Sequence, residues 1–260
     1  MTSGGTGAVM NQETKNDKWF FCLRPRPRAS MRLFCFPFGG GGASVFHSWS
    51  DAMGEDIEVR AAQLPGRETR YSEPRASDLP YLVRNIVQAL EAYQDKPFAM
   101  FGYSLGSLLA FEVCRELRRL DMRMPEHLYF AAFFAPHLPP AHPPISHLAD
   151  EEFAERVEYY YQPGEAWYNL ELREFLMPVL RDDIALYEGY VYEHDEPLES
   201  PIDVFAGAQD RSIPLELMQP WSEQTRSRVK HHVFEGGHFF IDQSVAEIQG
   251  LVSSSLNQRL

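Results

Sequence analysis

Basic residues are in short supply in this chain: 24 Lys and Arg stand against 37 Asp and Glu, a formal net charge of −13. Such an excess repels a phosphate backbone and argues against nonspecific nucleic-acid binding. Cysteine is scarcer still. Cys22, Cys35 and Cys114 are odd in number and far apart, so they form no disulfide framework and offer no metal site. That usage suits a reducing, cytoplasmic setting. Long hydrophobic runs are missing too, and no stretch approaches the ~20 apolar residues that a membrane helix needs. The segment Met1 to Asp17 has neither a basic leader nor an apolar h-region, which argues against export. It is polar and expected to be disordered, and Arg24-Pro25-Arg26-Pro27-Arg28 reads as a solvated connector.

What remains is globular: 260 residues, 44% of them hydrophobic, suffice for one domain. Strands are expected near 31–36, 57–62, 97–101, 126–134, 201–206 and 229–234. Helical patterns fall near 44–54, 78–94, 105–120, 214–226 and 243–256. Alternating strands and helices imply an α/β fold, a mainly parallel central sheet with helices on both faces. Residues 1-29 are assigned to the disordered segment and connector, and 30-260 to the domain. The interval of about 137-200 breaks the alternation. It carries helical patterns near 149–161 and 169–193 and many large apolar residues, among them Phe153, Tyr161, Trp167, Phe175 and Leu180. An insertion of that kind reads as a helical lid.

Gly102-Tyr103-Ser104-Leu105-Gly106 lies between an apolar strand and an amphipathic helix. Strand, G-x-S-x-G and helix in that order make a nucleophile elbow of the α/β-hydrolase fold, with the serine hydroxyl raised on a sharp turn. Serine at its ordinary pKa is a weak nucleophile and needs a base, which in turn needs an orienting acid. In this fold those follow in the order acid, then His. Asp210 sits just past the strand 201–206 on Gly207-Ala208-Gln209-Asp210, and His238 follows the strand 229–234 on Glu235-Gly236-Gly237-His238. Asp203, inside its strand, is a weaker acid candidate, and Asp182 or Asp183 a remote one. Of nine histidines, His231 and His232 are read as structural, and His137, His142 and His147 lack metal-ligand spacing.

Attack on a carbonyl builds charge on oxygen, which preorganised N–H groups stabilise. One donor is expected from Leu105, next after the serine. The other is expected from the loop Pro37-Phe38-Gly39-Gly40-Gly41-Gly42, where Gly39 is favoured and Phe38 stays open. The glycine run is no phosphate loop, because no Gly-Lys-Ser/Thr follows it.

Taken together, Phe36-Pro37-Phe38-Gly39-Gly40-Gly41, Gln63-Leu64-Pro65-Gly66-Arg67-Glu68, the elbow, Leu180-Arg181-Asp182-Asp183, Gly207-Ala208-Gln209-Asp210 and Gly236-Gly237-His238-Phe239-Phe240 resemble the type II thioesterase family. These are stand-alone α/β-hydrolases of polyketide, nonribosomal peptide and fatty acid biosynthesis. Two departures stand out: Tyr103 replaces the family's usual His, and the loop carries four glycines. The resemblance implies a Ser104, Asp210 and His238 triad without metal or cofactor. It also implies hydrolysis of acyl groups from the phosphopantetheine arm of an acyl or peptidyl carrier protein belonging to a parent synthase. Phe38, Tyr103 and Trp167 are expected to touch substrate, and Arg67 is given no catalytic task. Two rival readings are an esterase or lipase acting on oxygen esters, and a non-catalytic carrier-binding protein.

Overall fold

A computed structural model describes residues 17–259. The part of the expected disordered segment before residue 17 lies outside the described residues. Among the described residues, seven strands form one sheet in the order β1-β3-β2-β4-β5-β6-β7. They are β1 (Phe20–Phe21), β2 (Met31–Phe36), β3 (Ile57–Ala62), β4 (Phe98–Tyr103), β5 (Leu128–Ala131), β6 (Ile202–Gly207) and β7 (Val229–Phe234). All neighbours run parallel except β1, which is antiparallel to β3. The sheet therefore takes in a strand from the stretch 1-29, ahead of residue 30. Trp19 and Phe20 are buried, and Phe20 pairs with Ala62 at the sheet edge.

Parallel strands covered on both faces need apolar side chains on both faces. In β4, Phe98 and Met100 join the core beneath α2 (Leu79–Leu90) and α3 (Leu105–Arg119). Ala99, Phe101 and Tyr103 point the other way, into the core beneath α1 (Trp49–Ala52) and α6 (Phe240–Asn257). Two expected helices are weaker than their patterns suggest. The stretch 44–54 is a 3-10 turn followed by the four-residue α1. The stretch 214–226 is two short 3-10 helices, Leu215–Leu217 and Gln219–Gln224, and Pro220 at the start of the second has no N–H to continue the first. The strand expected over 126–134 is confined to Leu128–Ala131, where pairing partners exist on both sides.

Between β5 and β6 rise α4 (Asp150–Tyr161) and α5 (Leu170–Glu188). They share a small core of their own, built from Ile145, Phe153, Ala154, Val157, Trp167 and Ile184. This insertion stands over the C-terminal ends of the parallel strands, where loops after β2, β3, β4 and β7 line one cavity. Ligand sites of open parallel sheets form at that edge.

Candidate active site

Ser104 sits between β4 and α3 at φ 52°, ψ −119°, a strained conformation for a residue with a side chain. The surrounding glycines explain how the turn closes. A Cβ on Gly102 would lie 2.4 Å from the Gly106 carbonyl oxygen, and one on Gly106 would lie 2.1 Å from that of Phe36. Only hydrogen atoms fit there. The close approach of Gly106 to Phe36 also seats Leu105 beside the start of the glycine loop.

The acid and histidine loops are held together backbone to backbone. The Ala208 N–H donates to the Phe234 carbonyl at 2.8 Å, and that of Gln209 to the Gly236 carbonyl at 2.8 Å. Gly236 adopts φ +118°, which glycine tolerates and other residues resist. A Cβ on Gly207 would lie 2.4 Å from the Gly237 carbonyl oxygen. This zipper places His238 over Ser104. The imidazole Nε2 lies 3.0 Å from Ser104 Oγ, and Nδ1 lies 2.8 Å from Asp210 Oδ2. Asp210 and His238 are 8% and 2% exposed, so both are shielded from bulk water.

Asp210 is well supplied with donors. Its Oδ1 accepts from the Ser212 N–H at 2.9 Å, the Ser212 hydroxyl at 2.7 Å and the Ile213 N–H at 3.1 Å. Burial by itself would push this carboxyl up, yet His238 and the Ser212 bonds hold it below the ordinary carboxylate range. Ser212 also lies 2.9 Å from His238 Nδ1. No pattern in the chain singled it out, since a serine two residues past an acid is common turn chemistry.

The other candidate acids are engaged elsewhere. Asp203 bonds His127 Nε2 at 2.9 Å and His232 Nε2 at 3.0 Å, beneath the sheet edge. Burial opposes its ionisation, but those two histidines hold its carboxyl well below the usual range. Asp182 pairs with Arg75 at the surface. Asp183 is buried against Arg67, with Nη1 to Oδ2 at 2.5 Å and Nη2 to Oδ1 at 2.8 Å.

A cavity of about 420 Å³ opens over Ser104 and His238. Its floor includes Phe38, Gly39 and Leu105, and among the described residues neither the Gly39 nor the Leu105 N–H has a protein acceptor. Its roof comes from the lid: Val157, Tyr161 and Trp167 on one side, Phe175, Leu176 and Leu180 on the other. Tyr161 lies 5.0 Å, ring to ring, from His238, and its hydroxyl is 3.0 Å from that of Tyr187. Tyr159 is exposed and Tyr160 packs on His142, so of the three consecutive tyrosines only Tyr161 faces the site.

Tyr103 corrects an expectation. It is fully buried and absent from the cavity wall, and its hydroxyl donates to the His238 carbonyl. An odd-numbered residue of β4 points beneath the sheet, so Tyr103 supports the histidine loop from below and does not line the cavity.

The block Gln63 to Glu68 has a physical task at this site. Arg67 Nη1 donates to the Gly41 carbonyl at 3.2 Å, and Gln63 Oε1 accepts from the Ala43 N–H at 3.1 Å. Glu68 accepts from the Ser44 N–H at 3.3 Å. These groups brace the glycine loop along its length.

A thioesterase domain model matches residues 31–255. Gramicidin S biosynthesis protein GrsT of Aneurinibacillus migulanus is 34% identical over 233 residues, covering 89% of this chain and 91% of that protein. The human S-acyl fatty acid synthase thioesterase, medium chain, is 31% identical, covering 88% of each. The type II thioesterase BorB from the borrelidin biosynthetic cluster superposes with a TM-score of 0.83 at 28% identity, over 94% of this chain and 98% of that one. The strand order, the insertion over the strand ends and this likeness along nearly the whole described chain agree: the chain is a thioester hydrolase of α/β-hydrolase fold and belongs to the thioesterase domain family, among its type II thioesterases.

Proposed function

We propose that this enzyme hydrolyses acyl groups from the phosphopantetheine arm of a carrier protein, releasing or clearing them during assembly-line biosynthesis, with Ser104, His238 and Asp210 as its triad. The observation that carries this reading is the unbroken relay at the base of an apolar cavity, 3.0 Å from Ser104 Oγ to His238 Nε2 and 2.8 Å from Nδ1 to Asp210 Oδ2. His238 accepts the hydroxyl proton as Ser104 Oγ attacks the thioester carbonyl, and Asp210 stabilises the imidazolium that forms. The N–H groups of Leu105 and Gly39 receive the oxyanion. The C–S bond breaks, the thiol leaves with the proton from His238, and an acyl-serine remains. Water then attacks with His238 as base, releasing the acid and restoring Ser104.

The lid side chains supply an apolar slot for the acyl chain, and Trp167 and Phe38 line it. Relatives named for gramicidin S biosynthesis, for fatty acid synthase and for the borrelidin cluster support a carrier-bound substrate. The test compares acyl-pantetheine, acyl groups loaded on a carrier protein and matched oxygen esters, using the parent enzyme and Ser104→Ala. Preference for the thioesters, abolished in Ser104→Ala, is expected. Faster turnover of the oxygen esters overturns the substrate class, and turnover that survives Ser104→Ala overturns the triad.

A further inference from the structure

The lid helix α5 does more than roof the cavity. Three consecutive residues, Arg181-Asp182-Asp183, leave it in three directions. Arg181 donates to the Ser146 and Leu148 carbonyls at 2.6 and 2.7 Å, which ties α5 into the lid itself. Asp182 meets Arg75 at the surface. Asp183 alone reaches down to the catalytic floor, where its Oδ2 accepts the Gly40 N–H at 2.7 Å.

That single bond bears on a loop with little rigidity of its own. Four glycines in a row have more backbone freedom than any other tetrapeptide, so the loop's shape must be imposed from outside. Gly40 lies at φ +82°, and the Gly41 N–H closes a turn onto the Phe38 carbonyl at 2.9 Å. Asp183 holds the Gly40 N–H, and Arg67, forked onto both Asp183 oxygens, holds the Gly41 carbonyl. Both charged side chains are buried, 7% and 3% exposed, so water competes poorly for either. A bidentate guanidinium–carboxylate pair is geometrically strict, which suits it to fix a neighbouring peptide.

The acyl chain and this brace share one helix. Leu176, Val179 and Leu180 line the cavity within two turns of Asp183, and Leu180 lies against Gly39 and Gly40, 3.6 Å from a Cβ built on either. We propose that Asp183 is a positioning residue that couples the seating of α5 to the shape of the oxyanion loop, so that acyl selectivity is expressed in kcat more than in KM. An acyl group that fits beneath α5 leaves the brace intact and turns over quickly. One that wedges α5 upward still binds, but it withdraws Asp183 from Gly40 and is hydrolysed slowly.

This inference rests on the proposed triad and oxyanion loop, and the experiment separates the two. Asp183→Asn retains the volume and one acceptor oxygen but loses the charge-assisted fork, and Arg67→Lys keeps the charge and loses the fork geometry. Asp182→Asn serves as the surface control. For each, kcat and KM are measured on short and long acyl-pantetheines, with active sites counted from the acylation burst. Affinity for a trifluoromethyl ketone, which forms a tetrahedral oxyanion on the serine, is measured alongside thermal stability.

Asp183→Asn and Arg67→Lys are expected to lower kcat by about 10- to 100-fold per active site, below the ~10²–10³-fold of deleting an oxyanion donor outright. KM should stay within about threefold, the ketone affinity should fall in parallel with kcat/KM, and Asp182→Asn should match the parent. If Asp183→Asn only lowers the melting temperature or the active fraction, with kcat per site and ketone affinity unchanged, Asp183 is structural and the coupling is wrong. If Asp183→Asn behaves as expected while Ser104→Ala still turns over, the underlying triad is wrong instead.

Discussion

Asp210→Asn tests the relay at its most exacting point. In the structure Asp210 Oδ1 receives three donors, from the Ser212 N–H, the Ser212 hydroxyl and the Ile213 N–H. An asparagine must keep its carbonyl oxygen on that side, because turning the amide would set its NH₂ group against all three. The NH₂ is then forced to face His238 Nδ1, which can meet it only as an acceptor. The ring proton moves to Nε2, the nitrogen 3.0 Å from Ser104 Oγ, and the imidazole can no longer take the serine's proton. A tautomer inverted in this way costs about 10⁴ in turnover. At ~1.36 kcal/mol per tenfold, that is about 5.4 kcal/mol of barrier. Thiol released from acyl-pantetheine, followed colorimetrically under saturating substrate, measures kcat. Folding should stay intact, because the three donors keep their acceptor. A kcat within about tenfold of the parent, with the protein folded, would refute the assignment of Asp210 and the tautomer argument together.

Three further outcomes follow from single contacts. Gly106→Ala places a methyl group 2.1 Å from the Phe36 carbonyl oxygen, so a loss of about 3 kcal/mol or more, or failure to yield soluble protein, is expected in denaturant titration. Tyr103→Phe leaves the buried His238 carbonyl without its donor, costing about 1–3 kcal/mol of stability in the same assay and loosening the histidine loop; unchanged stability would show that the bond carries nothing. Asp203, its carboxyl depressed by His127 and His232 against the opposing effect of burial, contributes stability above its unfolded value near 3.9 and loses it as pH falls through the folded value. His127, lowered by burial although Asp203 raises it, resists protonation and adds to the acid loss below its unfolded value near 6.5. Asp203→Asn should therefore lose about 1.5–3 kcal/mol at neutral pH and show a shallower decline below about pH 4, where the parent's Asp203 contribution is lost. A parallel decline in both proteins would dismiss the Asp203 network as the acid-sensitive element.

Much of the site was legible because its chemistry is local. Gly102 and Gly106 flank Ser104 in an elbow that any strand, turn and helix reading finds. Gly207 to Asp210 and Gly236 to His238 lie at strand ends where an α/β sheet gathers its ligands. The lid, too, showed itself by breaking the alternation of strands and helices. The misreadings have physical causes. Tyr103 was expected at the substrate because it adjoins Ser104 in sequence, but strand alternation turns it beneath the sheet. Phe20 and Phe21 fell within the expected disordered segment and connector because two residues carry no period, and the free edge of β3 gives them a partner. Pro220 broke a helical pattern that spacing alone supported.

What the sequence by itself determined is the order of functional groups along the chain and the turns that hold each one, since glycine placement and strand periodicity depend only on near neighbours. Which of several carboxylates meets the imidazole was decided by tertiary structure. Asp183, Asp203 and Asp210 are the same group chemically, and their roles diverge because one faces Arg67 and the glycine loop, one faces His127 and His232, and one faces His238. Distances between residues 28, 76 and 116 positions apart are set by packing, and no local pattern encodes them.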